Sequence, residues 1–296
     1  MAVLISAVLP IALVALAGAW IGRIFELDLQ TLARVNIYVM LPALVLTSLT
    51  ETTLAFGNAI AIVAAFLLNT ALLYLLAVGL GRSLKFSPDE QKSAIATTLF
   101  ANVGNMGLPF VLFSLGEAGL ERAVLYLVVS SLTIASLFPI VLKGAGIRTG
   151  VRLTLRLPVF WATLAGLVLQ ALGGALPQAI ERGVALLGSG AIPIALVMLG
   201  VQLSRTQFAF GYRELLGAGL RLVVSPLSAY GIGRVLGLEG LDLQVLVLQA
   251  AMPVAVNSLI WVTELGGDKV RVARTIVLST LLSFLTLPGV LWLTAL

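Results

Sequence analysis

Histidine and cysteine are both absent from this sequence of 296 residues, and only 10% of the residues are charged. Without imidazole or thiol groups, the chain has no disulfides, no thiol nucleophile and none of the usual ligands of zinc, haem or iron–sulfur clusters. No pair of nucleophile and base is visible in the apolar segments either. We therefore expect no cofactor, no metal site and no enzymatic activity, and the net charge of +5 does not indicate a nucleic-acid partner.

Apolar residues, by contrast, make up 60% of the chain, and the mean hydropathy is +1.11. In soluble domains, apolar residues make up roughly 45–50% of the chain. The apolar residues occur in runs of about 20, the length that a helix needs to cross the roughly 30 Å of hydrocarbon in a bilayer. They lack the alternation of a membrane barrel strand. The sequence therefore predicts an all-α integral membrane protein that crosses the lipid bilayer many times.

Polar or glycine-containing breaks separate ten predicted spans. They lie near residues 4–22, 33–50, 57–81, 92–115, 122–143, 158–176, 184–203, 214–236, 243–265 and 271–295. We expect the first to be a permanent span and not a cleaved signal peptide, because it is about 20 residues long and has no basic leader. The connections are too short to hold a soluble domain.

Basic residues fall mainly on one side of the predicted spans. That side has 14: Arg23, Arg34, Arg82, Lys85, Lys92, Lys143, Arg148, Arg152, Arg156, Arg205, Arg213, Lys269, Arg271 and Arg274. The opposite side has three: Arg122, Arg182 and Arg234. Because positive residues stay on the cytoplasmic side, we predict that both termini are non-cytoplasmic.

The chain resembles itself at an offset of about 150. Residues 77–84 match residues 229–236 at an offset of 152 with five identities, and residues 53–57 resemble residues 207–211 at an offset of 154. The halves 1–150 and 151–296 thus each hold five spans. Because five is odd, the halves have opposite orientations, as in the inverted repeats of secondary transporters.

The fourth and ninth predicted spans are interrupted. In the fourth, Asn102, Gly104, Asn105, Gly107 and Pro109 lie at the centre of an apolar run. Pro109 cannot donate to the carbonyl of Asn105, and the glycines relax the limits on backbone torsions, so we expect the helix to unwind here. Backbone groups freed inside a membrane need a partner, which a ligand or an ion can supply.

In the ninth span, Pro253 should free the carbonyl of Gln249, and Asn257 and Ser258 follow after one turn. An offset of 150 places this break at the repeat position of the first. A plainer alternative is a pair of kinked helices in which the Asn side chains bond neighbouring backbone. Equivalent breaks in two repeats favour a substrate site near the middle of the membrane.

The run from Asn102 to Pro109 in the fourth of ten spans, with Gln249-Ala250-Ala251-Met252-Pro253 in the ninth, resembles the auxin efflux carrier family over essentially the whole chain. The resemblance implies two crossing broken helices, a scaffold of spans 1, 2, 6 and 7, and a moving transport domain of spans 3–5 and 8–10. It also implies elevator-type alternating access and a homodimer. By motif match, Asn102, Asn105, Pro109, Pro253 and Asn257 would line the site.

Plant members have a long loop between the halves, whereas residues 143–156 are short here. This difference favours the bacterial branch, and hence the inner (plasma) membrane of a bacterium and a small organic anion as substrate. A sodium-coupled symporter of the related bile-acid type and a non-transporting sensor or assembly subunit are the alternatives.

Arg221 is the basic residue that the repeat places near mid-span, at offset 152 from Asn69. A charge inside the membrane costs at least about 2.5 kcal/mol and needs a partner. We consider three roles: attraction of an anionic substrate, extension to the cytoplasmic interface, and bonding to the carbonyl ends of the broken helices. All 13 acidic residues lie near predicted span ends, so no carboxylate for proton coupling is visible and the coupling ion is left open.

Overall fold

The computed structural model describes residues 2–52, 54–144, 146–204 and 211–295, and their regular structure is helical. The helices before the middle of the chain are α1 (Ala2–Ile24), α2 (Leu29–Val35), α3 (Leu41–Glu51), α4 (Phe56–Ser83), α5 (Pro88–Leu99) and α6 (Leu108–Lys143). Those after it are α7 (Ile147–Thr154), α8 (Pro158–Ala171), α9 (Gln178–Ser189), α10 (Ala191–Ser204), α11 (Tyr212–Gly219), α12 (Ser225–Val235), α13 (Gly240–Ala250), α14 (Asn257–Leu265) and α15 (Lys269–Thr294).

Three π-helical segments join consecutive helices: Asn36–Met40, Val103–Gly107 and Leu220–Val224. A π-helical turn holds an extra residue, which shifts the helix face and often marks a functional position. The segment Leu220–Val224 contains Arg221, and Val103–Gly107 contains the Asn- and Gly-rich motif of the fourth predicted span.

Six helical runs in the described residues are long and apolar enough to cross a membrane. They are Leu29–Glu51, Phe56–Ser83, Val103–Val141, Gln178–Ser204, Tyr212–Val235 and Lys269–Thr294. α7 and α8, bent by 69°, count as a seventh if they form one span, and Val8–Ile24 and Gly240–Ala250 are shorter apolar helices. The all-helical membrane architecture is confirmed. The number of uninterrupted spanning helices in the described residues is lower than the predicted ten, because several of the predicted spans are short or broken helices.

The run Val103–Val141 is longer than one span. Its 39 residues would extend about 58 Å at 1.5 Å per residue, against roughly 30 Å of hydrocarbon. Gly116 interrupts it with φ 72° and ψ −167°, which are not helical torsions. This break coincides with the predicted boundary between the fourth and fifth spans.

One compact unit comprises Met1–Leu54, Gly104–Ile140 and Ala145–Arg205. In it, α1 and α10 approach until their backbones touch. A Cβ atom at Gly200 would lie 1.8 Å from the backbone oxygen of Ala15, and one at Gly18 would lie 2.3 Å from that of Val197. Lipid is as apolar as the side chains, so close backbone packing of small residues takes over the role that hydrophobic burial has in water.

The other compact unit comprises Ala55–Val103, Val141–Gly144 and Thr206–Leu296. Here α4, α12 and α13 pack on one another. α13 is enclosed, with every residue from Val245 to Ala250 buried.

Within this unit, α4 and α12 end in the same conformation. Phe86 N donates to Gly81 O at 2.8 Å, and Leu238 N donates to Gly233 O at 2.9 Å. This pattern is the bond that closes a helix by a left-handed turn. The matching residues 77–84 and 229–236 therefore form the same C-terminal structure.

The offset of 152 extends beyond these ends. Lys85 and Gly237, which this offset relates, both have positive φ values, of 53° and 78°. The next helices, α5 and α13, begin at Pro88 and Gly240, which the same offset relates. The register of 152 thus holds through the turn and into the following helix of each half.

The second sequence match cannot be compared in this way. It includes Thr53 and residues 207–210, which lie outside the described residues, as does Arg205 of the charge count.

Candidate functional site

Two helices are interrupted, and their breaks pair with each other. α5 ends at Leu99 and α13 at Ala250, and the chain after each becomes extended. Asn102 N donates to Pro253 O at 2.8 Å, and Ala255 N donates to Phe100 O at 2.9 Å, around an antiparallel bridge between Ala101 and Val254. We call the two paired segments, Phe100–Asn102 and Met252–Ala255, the crossover.

The first break lies earlier than predicted. It falls at Phe100–Asn102, whereas Gly104 and Gly107 are in the π-helical segment and neither has a positive φ. Pro109 is the second residue of α6, directly after that segment. The break lies at Phe100–Asn102 because antiparallel pairing with the second break supplies hydrogen bonds to the backbone there. Glycine or proline torsions are not its cause.

Proline does mark the second break. Pro253 cannot continue α13, but it does not leave the carbonyl of Gln249 free as we expected. Met252 N donates to Gln249 O at 3.4 Å and closes the helix by a tighter turn. Ser279 of α15 holds the crossover from the side, because its Oγ accepts from Val254 N at 3.1 Å.

Arg221 binds the carbonyl ends of both interrupted helices. Its Nη1 donates to Thr98 O at 3.0 Å, its Nε donates to Met252 O at 3.1 Å, and its Nη2 donates to Ala250 O. The residue is 2% exposed, so extension to the interface is wrong and bonding to the helix ends is what the structure has. Helix C-termini carry partial negative charge, which a guanidinium neutralises.

The register of 152 relates Thr98 to Ala250, so the two carbonyls occupy matching positions at the ends of α5 and α13. The same register relates Arg221 to Asn69, which is 2% exposed and linked to Arg221 through Ser225. Asn69 Nδ2 donates to Ser225 Oγ at 3.4 Å, and Arg221 Nη2 donates to the same oxygen at 2.8 Å. Ser225 Oγ in turn donates to Ala250 O at 2.8 Å. A continuous buried polar network thus joins α4, α12 and α13.

Three polar side chains beside these helix ends are buried without a hydrogen-bond partner among the described residues. They are Gln249, whose Oε1 and Nε2 are both unpaired, Thr98 with its Oγ1, and Asn102 with its Nδ2. Gln249 and Thr98 are 0% exposed and Asn102 is 4% exposed. Buried polar atoms are almost always paired, so unpaired ones indicate a ligand, an ion or water.

Comparison with known proteins identifies the chain. Residues 3–151 and 147–291 match the membrane transport protein family. The chain belongs to this auxin efflux carrier family. Its members are membrane transporters, and this protein is therefore a membrane transporter and not an enzyme.

Three relatives agree with this membership. An "Uncharacterized transporter" of Methanothermobacter thermautotrophicus is 31% identical over 92% of this chain and 90% of its own length. Another from Methanocaldococcus jannaschii is 26% identical over 72% of each chain. A protein of Rhizobium meliloti, named "Putative malonate transporter", is 27% identical over 66% of this chain and 64% of its own. The assignment to a bacterial branch stays a prediction.

In this transporter, the structure brings together part of the predicted site. Asn102, Pro253 and Arg221 meet at the crossover through the contacts given above. Ser258 is buried, and its Oγ donates to Ala255 O at 2.6 Å, whereas Asn257, the first residue of α14, is exposed. Gly104, Asn105, Gly107 and Pro109 belong to the unit that contains α1 and α10.

The repeat register also changes one pairing. The offset of 150 aligns Asn105 with Ala255. The register of 152, which the helix ends follow, aligns Asn105 with Asn257 instead. In this register, each interrupted helix has an Asn at the matching position.

Sequence reasoning missed Gln249, Thr98, Ser225 and Ser279 as members of the polar network. Gln249 stood in the ninth-span motif but was given no side-chain role, and the others are common residues of membrane helices. A count of polar residues one turn before each break would have found Thr98 and Gln249.

Among the residues that the structure describes, two acidic side chains are buried, and both lie at helix starts, as expected. Asp242, 6% exposed, is in the first turn of α13 and accepts from Asn58 Nδ2 at 2.5 Å. Glu214, 7% exposed, is in the first turn of α11, and its Oε2 accepts from Gly211 N at 2.9 Å. Carboxylates are stabilised at helix N-termini, so these positions explain their burial without a role in proton coupling.

Proposed function

We propose that this protein is a secondary transporter of a small organic anion, a carboxylate, that works by elevator-type alternating access. The observation that carries the proposal is the crossover, in which two interrupted helices pair their broken backbones. Interrupted helices at equivalent places in two repeats form the substrate sites of many secondary transporters. The orphaned polar atoms beside the breaks support a ligand at this place.

A carboxylate fits the groups that follow the breaks. α14 begins just after the crossover, and the N-terminal end of a helix carries partial positive charge that favours anions. Asn amides add donors. The proposed binding residues in the unit with α13 are Asn102, Arg221, Pro253, Asn257 and Ser258. Gly104, Asn105, Gly107 and Pro109 stay predictions from the sequence motif. The name of the Rhizobium relative makes malonate the first compound to test.

We also propose ten spans in a 5+5 inverted repeat. The non-helical Gly116, the break between α13 and α14, and the shared register of 152 support this count. Spans 1, 2, 6 and 7 would be the scaffold and spans 3–5 and 8–10 the transport domain of a homodimer. The location is a bacterial inner membrane with both termini outside the cytoplasm.

The topology is testable by cysteine labelling, since the native chain has no cysteine. An impermeant reagent should label a cysteine at residue 2 in intact cells, and should label one at the exposed residue 149 only after the membrane is permeabilised. The reverse pattern would overturn the orientation, and labelling of both or neither would overturn the count of spans in the first half.

Uptake into proteoliposomes tests the transport function. We expect saturable uptake of radiolabelled malonate, competed by other small carboxylates and absent from protein-free liposomes. A wild-type protein that moves no mono-, di- or tricarboxylate under an imposed membrane potential in either direction would contradict the proposal and favour a non-transporting sensor or assembly subunit.

A further inference from the structure

We propose that Arg221 is a built-in cation that takes the place of a coupling ion at the crossover, so that anion transport requires no sodium. This inference rests on the proposed function and concerns its driving force. It would also place the protein apart from a sodium-coupled symporter of the bile-acid type.

The first argument is the identity of the atoms that Arg221 binds. Three of them are main-chain oxygens, of Thr98, Ala250 and Met252, at or just after the C-terminal ends of two interrupted helices. In transporters with broken helices, unwound carbonyls and half-helix C-termini are the groups that coordinate sodium or protons. Here the guanidinium already occupies them, with distances of 3.0 Å to Thr98 O and 3.1 Å to Met252 O.

A second, independent observation is the chemistry of the surrounding side chains. Ser225 Oγ contacts the guanidinium, and Gln249 Oε1 and Thr98 Oγ1 are buried oxygens without partners among the described residues. With the three carbonyls, they are neutral oxygen atoms, the ligands that hard cations prefer. Removal of the guanidinium would therefore leave an oxygen-rich position suited to a small monovalent cation.

The third argument is symmetry. Thr98 and Ala250 occupy equivalent places in the two repeats, and one planar guanidinium reaches both, because its fork presents several donors in fixed directions. A fixed charge that satisfies both helix ends at once leaves no vacant carbonyl pair for a mobile cation in the wild-type protein.

Sodium dependence of stability and flux tests the inference. The thermal unfolding of purified wild-type protein should be the same in sodium chloride and choline chloride, and malonate uptake should differ by less than twofold between them. Arg221→Ala should be destabilised in choline and show a saturable rise in Tm with sodium. Arg221→Lys keeps a cation beside the carbonyls, so its Tm should be insensitive to sodium.

The matched control is Arg234→Ala. Arg234 lies near the end of α12, where it is half exposed and pairs with Glu239 at 3.5 Å. Its removal also deletes one positive charge but should create no response to sodium. A sodium response in this control equal to that of Arg221→Ala would overturn the inference.

Sodium stimulation of the wild-type protein, in flux or in Tm, would overturn the inference, as would an Arg221→Ala protein that folds stably and ignores sodium. If Arg221→Ala does not fold in either salt, Arg221→Lys decides: insensitivity to sodium supports the inference and sodium-dependent stability overturns it. The Tm measurements need no transport, so absence of carboxylate flux would contradict the proposed function without deciding the role of Arg221.

Discussion

The two compact units solve the problem of helix packing in lipid by different means. In the unit with α1 and α10, glycine lets two backbones touch, as at Gly18 and Gly200. In the unit with α4, α12 and α13, the contacts are polar, and Arg221 and Ser225 satisfy carbonyls that the broken helices leave open. Apolar attraction between helices is weak in a bilayer, so either close packing or polar satisfaction must stabilise them. The unit that is stabilised by polar contacts is also the one whose polar groups can bind a ligand.

The largest effect should follow from a side chain at the glycine contact. Gly200→Leu would place a Cβ 1.8 Å from Ala15 O, and backbone cannot move aside as a side chain can. Overpacking costs typically about 1–3 kcal/mol and more against backbone, so we expect loss of the folded protein or a fall in Tm of roughly 5 °C or more. Detergent thermal unfolding and size-exclusion profiles measure it.

The control for this variant is Gly79→Leu. Gly79 lies within α4, and a Cβ there would meet nothing within 4 Å. It should remain monodisperse with a nearly unchanged Tm. If both variants behave alike, close glycine packing is not what stabilises the contact of α1 with α10.

The second effect concerns the unit with α4, α12 and α13, in which Arg221 stands at the position that the register of 152 relates to Asn69. Arg221→Asn makes the position like Asn69 and removes a donor from three carbonyls, of which Ala250 O keeps its bond from Ser225 Oγ. Each buried acceptor left unpaired costs about 1–3 kcal/mol, so we expect a fall in Tm of roughly 5 °C or more. In the double variant Asn69→Arg, Arg221→Asn, an arginine starts from the equivalent helix position, and part of the lost stability should return.

Thermal unfolding of the wild type, both single variants and the double variant gives the coupling between the two sites. No recovery in the double variant would mean that the two repeats differ in backbone as well as in charge at this depth.

A third comparison separates binding from folding within the crossover. Asn102→Ala removes an amide whose Nδ2 bonds no described residue, so stability should change little while malonate flux falls at least tenfold. Ser279→Ala removes the acceptor of Val254 N and should cost about 1 kcal/mol of stability. Flux and Tm are measured on both variants. Full flux in Asn102→Ala would remove this residue from the proposed site.

The smallest effect on stability is expected at Asp28, at the exposed start of α2 in the unit with α1 and α10. Asp28 caps α2, and hydrogen bonds from the Thr31 side chain and from Gln30 N hold the pKa of its carboxyl below the ordinary 3.8. A lowered folded-state pKa means that the cap stabilises the protein above pH 3.8, and that this contribution is lost as the pH falls through the folded-state pKa. The Tm difference between wild type and Asp28→Ala should shrink below about pH 4. A difference that stays constant down to about pH 3 would show that the charge of Asp28 contributes nothing.

The sequence alone determined the class of the protein and the sites of interruption to within a few residues. Runs of about 20 apolar residues specify membrane helices because the hydrocarbon thickness sets their length. The repeat at residues 77–84 and 229–236 was visible because the same helix ending requires the same small residues, and Pro253 marked a break because proline removes a donor from any helix.

Only the tertiary structure decided which atoms satisfy one another. The first break carries no proline, and the chain becomes extended at Phe100 because a segment from the other half of the chain supplies its hydrogen bonds. In the same way, three roles for Arg221 were compatible with its position near mid-span. Its carbonyl partners come from residues 123, 29 and 31 positions away in sequence, and a contact between distant segments leaves no periodic trace in either of them.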